Sequence, residues 1–477
     1  MATFDVIVIG SGPGACACVH VLSSQLPSLH IAVLESGTRP PLPAKENTLV
    51  AYANRSRSFK THRHVKGAPA LARTGRIIQG HATGGSTVIN AGIYVGLSKE
   101  DVHACFGSRY ERLHTEFQKE VEPRIARRVD PLCVQITACR ALSDRIVLDD
   151  KHVKSYRDSI VQGRVCETPW RQRLTAYSAL LAPILAINTN VRLYEDFAVR
   201  VILRDGSRVT GVRSEDGREL FAPIVILCAG AIGTPALLLR SELGNQHVGQ
   251  HLHDHPSVVL PFAGRHRTND DELNAHGVVT QYCTSSGTIF DFNVINPGIA
   301  SLALYVSNGT LLRALFDRSV AGVRYNAISM NVGWQPQRRG RVSLDDHGEV
   351  VVEYDTLTSA EAQRVRSDVM TVLGAIDADP DSRKYLRRMF SMSKVGEIVA
   401  GAPFNTHWHL SSTCRMGGGG DGVVDETFAV HGVSGLYVGD ASVAKSTCTY
   451  NTMSLAYFSG YLCGKSVAAR LTPHARK

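Results

Sequence analysis

His409 and Asn451 form a polar pair near the carboxy-terminal end of the sequence. They flank a Gly-Asp turn, Gly439-Asp440-Ala441-Ser442. An imidazole has an unperturbed pKa of about 6.5, which suits a base that works at neutral pH. A carboxamide can hold an oxygen atom by a hydrogen bond. The pair therefore has the chemistry of a base beside a hydrogen-bonding group, as a catalytic site would need.

Two alternatives apply to this pair. The sequence contains 19 histidines, most histidines in proteins are structural, and His407 lies only two positions before His409. Helical apolar spacing from Met453 to Val467 also places Asn451 where a helix N-cap is expected. The N-cap role of Asn451 is compatible with a place in a site, whereas a structural histidine or His407 would replace His409 there.

A nucleotide-binding pattern opens the sequence. Val6 to Ile9 is a continuous apolar run, typical of a buried parallel strand, and a second such strand is predicted at Ile31 to Leu34. Between them a glycine-rich turn leads into a helix, which is the G-x-G-x-x-A form of the dinucleotide fingerprint. Its residues are Gly10, Gly12, Pro13, Gly14 and Ala15.

Glu35 strengthens this interpretation, because it lies 20 residues beyond Ala15 at the end of the second strand. An acid at this position binds ribose hydroxyls and would repel the extra phosphate of NADP. The fingerprint alone does not separate NAD from FAD. We expect the two ends of the chain to meet at one bound cofactor.

Composition excludes several classes of function. The 477 residues carry a net charge of +9, but the basic residues are scattered, so no nucleic-acid partner is expected. The eleven cysteines lack metal-ligand spacing, which predicts free thiols in a reducing compartment and no metal site. No signal peptide is seen, so we expect a cytoplasmic or other intracellular protein. The uncharged stretch from Phe221 to Leu239 is interrupted by prolines and glycines and predicts a strand, a turn and a helix rather than a membrane span.

Several further segments, taken in order, carry a family resemblance. They are Gly84-Gly85-Ser86-Thr87-Val88-Ile89-Asn90-Ala91-Gly92, Gly230 to Gly244, Val248 to Pro256, and His409-Leu410-Ser411-Ser412-Thr413-Cys414-Arg415-Met416-Gly417. With the carboxy-terminal Gly-Asp turn, they resemble the glucose-methanol-choline (GMC) family of FAD-dependent oxidoreductases, from residue 4 to about 468. The spacing to Thr413-Cys414 favours His409 over His407 as the family's histidine.

The resemblance implies FAD as the cofactor, His409 as general base and Asn451 as the hydrogen bond to the substrate oxygen. Asp254 and His255 are implied to be architectural. Ile89 stands where some members carry a histidine bonded to the flavin, which implies non-covalent FAD. The cofactor-binding residues implied beside the fingerprint and Glu35 are Gly84, Gly85, Ser86, Asn90, Val199, Ala229, Gly230, Gly439, Asp440, Asn451 and Thr452.

The expected fold class is α/β, with a Rossmann-like FAD-binding domain assembled from discontinuous segments and an α+β substrate domain with an antiparallel sheet. We expect the FAD-binding parts at 1–105, 191–256 and 404–477, and a lid-like excursion at about 39–76. A mainly helical connecting part is expected at 106–190 and the substrate domain at 257–403.

The implied reaction is oxidation of a small-molecule alcohol by hydride transfer to the flavin, giving an aldehyde, ketone or lactone. Oxygen, a quinone or a redox protein would then accept the electrons. A lyase or photodecarboxylase on the same scaffold is the alternative, and a non-catalytic FAD-binding protein is a third. The divergent block from Pro256 to Pro403 is expected to set the choice of alcohol.

Overall fold

The computed structural model describes residues 3–40, 58–64, 76–128, 139–148, 151–170, 172–264, 279–295, 327–353, 358–388, 391–401, 405–418 and 420–472. Most of the expected excursion at 39–76 lies outside these residues, as does a strand predicted at Leu302 to Val306.

A five-stranded parallel sheet forms the centre of the fold. Its strands, in spatial order, are Leu436–Val438, Ile224–Leu227, Val6–Ile9, Ile31–Leu34 and Val191–Tyr194. The three inner strands are buried along their whole length, as expected when helices cover both faces. Segments far apart in sequence therefore build one sheet, which confirms the discontinuous Rossmann-like domain.

Two long helices pack on one another beside this sheet. They are Pro13–Gln25 and Met453–Leu471, the first and last helices of the described chain. Small residues allow the close approach, since a Cβ added at Gly460 would overlap the carbonyl oxygen of Gly14. The stretch from Phe221 to Leu239 forms a buried strand and then the helix Gly230–Arg240, as predicted. Among the described residues, no helix has both the length and the apolar character needed to cross a bilayer.

A second, antiparallel sheet forms the core of the substrate domain. Its strands, in order, are Val279–Cys283, Thr288–Ile295, Ala327–Trp334, Pro256–Gly264 and Leu386–Arg388, and Asn405–Thr406 also pairs with Pro256–Gly264. The helix Ser359–Ala378 packs its apolar face against this sheet through Val365, Val369 and Leu373. The antiparallel sheet predicted for this domain is confirmed.

The remaining elements form smaller sheets and helices. A four-stranded sheet contains Arg341–Leu344, Val350–Glu353, Phe59–His64 and Arg76–Gly80, and a three-stranded one contains Val199–Asp205, Arg208–Ser214 and Glu219–Phe221. Short strand pairs join Ile93–Tyr94 with Arg164–Val165 and Ile146–Val147 with Ser159–Gln162. The other helices include Lys99–Cys105, Glu111–Glu120, Glu122–Ile125, Ala182–Ile187, Pro380–Tyr385 and Met392–Gly401, with a π-helical turn at Tyr177–Leu181. The ten described cysteines are buried and free of disulfides.

Candidate active site

Backbone hydrogen bonds fix the segment that carries His409. The N–H of His407 donates to the carbonyl of His255 at 3.0 Å. The N–H groups of His253 and Ser411 donate to each other's carbonyls at 3.1 and 3.0 Å. His409 therefore lies between two points of attachment to His253 and His255, which immediately precede the strand Pro256–Gly264.

The carboxylate of Asp254 provides a third attachment. Asp254 is fully buried and accepts the backbone N–H of His409 at 2.8 Å, and it also accepts the hydroxyl of Thr406. Trp408, between the two histidines, has a φ of +56° and a side chain that is 46% exposed. A left-handed backbone at a bulky residue is strained, and such strain concentrates at functional sites.

His409 and Asn451 are brought together, as the sequence analysis requires. Nε2 of His409 lies 3.5 Å from Nδ2 of Asn451, at the outer limit of a hydrogen bond, and its Nδ1 lies 2.9 Å from Nδ1 of His255. The Oδ1 of Asn451 accepts a hydrogen bond from Gln281 at 3.0 Å. Because Asn451 thus turns its NH₂ group toward His409, Nε2 of His409 is the acceptor and its Nδ1–H donates to His255.

Three imidazoles, of His255, His407 and His409, meet at this point, and each of them has a lowered pKa, as does the nearby His253. Burial lowers the pKa of His253 to about 2, of His255 to about 3 and of His407 to about 4. The pKa of His409 falls well below its usual 6.5, first by burial and then by the nearby His255 and His407. Burial therefore favours the uncharged form of these imidazoles, in which a ring nitrogen keeps a lone pair, and it opposes a lasting positive charge on them.

The imidazoles of His255, His407 and His409 also have ring nitrogens within 4.8 Å of one another. Two nitrogen ligands of tetrahedral zinc would lie about 3.3 Å apart, since a Zn–N bond is about 2.0 to 2.1 Å. The 2.9 Å contact between His255 and His409 is shorter and matches a hydrogen bond. The absence of a metal site stays a prediction.

The amino-terminal glycines form a cradle at the start of the helix Pro13–Gln25. A Cβ at Gly10 would overlap the carbonyl of Cys228, and one at Gly14 would overlap that of Gly439. A Cβ at Gly12 would meet only the Cα of Gly85, at 3.9 Å. The helix has no side-chain cap, so its first N–H groups are available to phosphate oxygens.

A chain of hydrogen bonds ties this cradle to the loop that contains Gly84, Gly85 and Ser86. The hydroxyl of Ser11 donates to Glu35 at 2.6 Å, and the N–H of Gly84 donates to that hydroxyl at 3.0 Å. Glu35 is 5% exposed and also accepts the N–H of Gly37. Burial raises the pKa of Glu35, and its hydrogen bonds oppose that rise.

Asp440 connects the carboxy-terminal turn to the helix Gly230–Arg240. Its carboxylate accepts the N–H of Gly230 at 2.8 Å, the hydroxyl of Thr234 at 2.5 Å and the N–H of Ser442 at 2.9 Å. Ala229 donates its N–H to Thr234. Gly439 lies against Gly14, so this turn and the cradle are adjacent.

The other predicted cofactor residues surround the same region. Asn90 is held by Arg173, whose guanidinium donates to the Asn90 side chain at 2.8 Å and to its carbonyl at 2.7 Å. Val199 begins a strand two residues after Phe197, whose N–H donates to the backbone of Glu35. Thr452 is the N-cap of the last helix. Asn451 therefore precedes the cap, and the expectation that it forms the cap is wrong.

The segment that carries His409 contacts the Gly-Asp turn and the helix Gly230–Arg240, which adjoin the cradle. The N–H of Ser412 donates to Ala441, that of Cys414 donates to Ser442, and the hydroxyl of Thr413 donates to the carbonyl of Ala231 at 2.7 Å. The contact of Gly439 with Gly14 brings the two ends of the chain together, and their meeting at one bound cofactor stays a prediction.

Comparison with known proteins agrees with this arrangement. Family models described as GMC oxidoreductase match residues 4–257 and 336–460. The chain belongs to the GMC oxidoreductase family. GMC oxidoreductases are flavoproteins, so this protein is an oxidoreductase that binds FAD.

Three similar proteins illustrate the range of this GMC oxidoreductase's relatives. An uncharacterized GMC-type oxidoreductase of Mycobacterium tuberculosis is 26% identical, over 93% of this chain and 72% of the relative. An alcohol dehydrogenase [acceptor] of Pseudomonas putida is 22% identical, over 94% and 93%. The crystal structure of pyridoxine 4-oxidase from Mesorbium loti superposes with a TM-score of 0.78 at 18% identity, covering 97% of this chain and 99% of that one, which supports the fold.

Sequence reasoning missed three residues at this site. The sequence analysis gives His255 an architectural role, yet the ring of His255 contacts that of His409. The neighbouring Asp254 is the feature of the sequence that could have marked His255 as part of the site. Arg173 and Gln281 carry no motif. Gln281 reaches Asn451 across 170 positions, and only the folded chain shows that contact.

Proposed function

We propose that this GMC oxidoreductase oxidises an alcohol, a CH–OH donor, to an aldehyde, ketone or lactone, with His409 as the base that accepts the hydroxyl proton. The observation that carries the proposal is the 3.5 Å approach of His409 Nε2 and Asn451 Nδ2. It places an acceptor and a donor side by side. A substrate hydroxyl in contact with both would accept from Asn451 and donate to His409.

The residues present fit FAD. The uncapped start of the helix Pro13–Gln25 and the gap between Gly12 and Gly85 suit its phosphates, and Glu35 supplies acceptors for a ribose. When bound, FAD supplies the hydride acceptor that the reaction needs. Ile89 offers no nucleophilic atom to the cofactor, so we infer a non-covalent FAD.

The histidine cluster supports the proton transfer. His409 holds its Nε2 lone pair toward the site because its Nδ1–H donates to His255. After proton uptake both nitrogens of His409 carry a hydrogen, and the same hydrogen bond to the neutral His255 stabilises the resulting charge. Burial keeps His409 neutral before the reaction, and this is the form that a base requires.

The family relationship supports alcohol oxidation, and the relatives' names agree with it. One is an alcohol dehydrogenase [acceptor] and another a pyridoxine 4-oxidase, although each shares less than a quarter of its residues with this chain. We propose that oxygen, a quinone or a redox protein accepts the electrons from the reduced enzyme.

The test is anaerobic mixing of the purified, yellow enzyme with sugar, choline-like, aliphatic, aromatic and sterol alcohols in the dark. We expect at least one alcohol to bleach the flavin absorbance, and re-oxidation by oxygen or a quinone then identifies the acceptor. Replacement of His409 by Ala should slow bleaching about 10²- to 10⁴-fold while FAD stays bound.

His347 provides a matched control, since it is an exposed histidine on a hairpin far along the chain from His409. His347→Ala should bleach at the wild-type rate. A His409→Ala enzyme that bleaches as fast as His347→Ala would refute the role of His409. Product formation without any bleaching would instead indicate a lyase.

A further inference from the structure

A buried polar chain connects the substrate-domain sheet to Asn451. Gln281 and Asp291 lie directly opposite each other on the antiparallel strands Val279–Cys283 and Thr288–Ile295. The Nε2 of Gln281 donates to Asp291 Oδ1 at 2.7 Å and to Asn451 Oδ1 at 3.0 Å. Gln281 is 1% exposed and Asp291 is 8% exposed. Both hydrogens of the Gln281 amide are therefore in use.

The chemistry of the three side chains gives this chain a direction. A carboxylate only accepts hydrogen bonds, whereas an amide can turn by 180° and exchange its donor and acceptor ends. Asp291 therefore forces Gln281 to present its NH₂ group, and that NH₂ group forces Asn451 to present its oxygen. The NH₂ group of Asn451 is left facing His409, at 3.5 Å.

We propose that Asp291 and Gln281 are positioning residues that fix the orientation of the Asn451 amide, so that it donates to the substrate oxygen. This inference rests on the proposed function, because it assumes that Asn451 contacts an alcohol or alkoxide oxygen. A reversed Asn451 would turn its own oxygen toward that atom and repel it as negative charge develops there.

The environment of Asp291 agrees with a directional role. Burial raises the pKa of Asp291 to about 7, while the hydrogen bond from Gln281 lowers it. An apolar residue in the sheet would avoid that cost. A neutral carboxyl can also donate, so Asp291 fixes the direction of the hydrogen bonds as a carboxylate, the form that the hydrogen bond from Gln281 favours.

Gln281 has one feature that a space-filling role does not explain. Its Oε1 is buried and makes no hydrogen bond within the part of the chain that the structure describes. Exchanging the two ends of the amide would give Oε1 no donor on Asp291 or Asn451 in their present orientations. Gln281 keeps both hydrogen bonds of its NH₂ group at the cost of a buried oxygen without a donor among the described residues. This is expected if the NH₂ group is what sets the orientation of Asn451.

The experiment uses the FAD-loaded enzyme and measures the rate of flavin bleaching and the substrate dissociation constant by anaerobic rapid mixing. Asp291→Asn is nearly isosteric but can both donate and accept, so the direction becomes degenerate and the bleaching rate should fall about tenfold. The double variant Asp291→Asn with Gln281→Glu keeps one carboxylate and one amide, and therefore the same net charge, but exchanges their positions. The carboxylate at position 281 accepts hydrogen bonds, so Asn451 turns its NH₂ group toward it and its oxygen toward His409. We expect that variant to lose about 10²-fold, comparable to the loss of a donor to a developing oxyanion.

If Asp291 and Gln281 had only a structural role, the double variant would bleach faster than Asp291→Asn, because it restores both hydrogen bonds. A double variant with the wild-type rate would overturn the proposal. In an Asn451→Ala background, Asp291→Asn should have no further effect on the rate, since it acts through Asn451. An additive tenfold loss there would also overturn it.

Asp368→Asn is the matched control, since that carboxylate belongs to the same domain and binds Ser286 and Thr288. It should leave the rate unchanged, and thermal melting with the flavin spectrum confirms folding of each variant. Should the double variant fail to fold, the single variant and the Asn451→Ala cycle decide. A failure of the proposed function looks different, because His409→Ala would then bleach at the wild-type rate.

Discussion

Gly12 and Gly14 lie two residues apart in the phosphate cradle, yet replacement of each by Ala should have a different effect. A Cβ at Gly12 would meet only the Cα of Gly85 at 3.9 Å, and its φ of −73° suits any residue. The fold should therefore keep its stability or gain about 0.4 to 1 kcal/mol from the stiffer unfolded chain. The added methyl group occupies the gap in which the backbone approaches a phosphate.

The expected cost appears in FAD binding. A hydrogen bond to a charged group contributes about 1.5 to 3 kcal/mol, so losing one N–H to phosphate contact raises the Kd about 10- to 100-fold. At Gly14 a Cβ would overlap the carbonyl of Gly439 and lie 3.1 Å from the Cα of Asp440, both backbone atoms. Such overpacking costs about 1 to 3 kcal/mol of folding free energy or more.

Two measurements separate these effects. Urea unfolding of the apoprotein reports folding free energy, and quenching of flavin fluorescence on titration reports the Kd for FAD. We expect Gly12→Ala to change only the Kd and Gly14→Ala to lower the unfolding midpoint. A Gly12→Ala protein that binds FAD as tightly as wild type would refute the placement of the phosphates at this gap.

Two further predictions concern buried carboxylates. Because burial raises the pKa of Asp291 from 3.8 to about 7, its neutral form favours the fold, and that stability is present below pH 4 and lost as pH rises through 7. The free energy of unfolding of Asp291→Asn, relative to that of the wild type, should therefore rise by up to about 4 kcal/mol between pH 4 and pH 8. Urea unfolding at several pH values measures this difference, and a difference that does not change with pH would contradict the prediction. Asp440→Asn places an NH₂ group among the donors of Gly230, Thr234 and Ser442. It should lower the free energy of unfolding by about 2 to 4 kcal/mol and weaken FAD binding. Melting curves with and without added FAD measure both effects.

Local patterns predicted the parallel sheet well. Val6–Ile9, Ile31–Leu34 and Ile224–Leu227 have the bounds that their apolar runs indicate, since a strand buried on both faces shows an uninterrupted run. The sequence alternates in a strand-like pattern from Val191 to Leu203. The structure breaks it at Asp196, where φ is +54°.

The candidate site was predictable where a motif spans adjacent residues. Glu35 and the glycine turn lie within one βαβ unit, so their spacing reports their contact. Gln281 and Arg173 lie in segments without a motif, and their contacts with Asn451 and Asn90 join parts of the chain that are distant in sequence. The N-cap at Thr452 instead of Asn451 is a one-residue difference that helix propensity does not resolve.

The contact of Gly14 with Gly439 and Gly460 has a consequence for biosynthesis. During translation the phosphate turn leaves the ribosome long before the strand and helix that cover it, Leu436–Val438 and Met453–Leu471. A nascent chain therefore exposes a half-formed nucleotide pocket until those two segments have emerged. Such long-range pairing slows folding and leaves apolar surface open to chaperones, so cofactor capture must wait for the synthesis of Leu436–Val438 and Met453–Leu471.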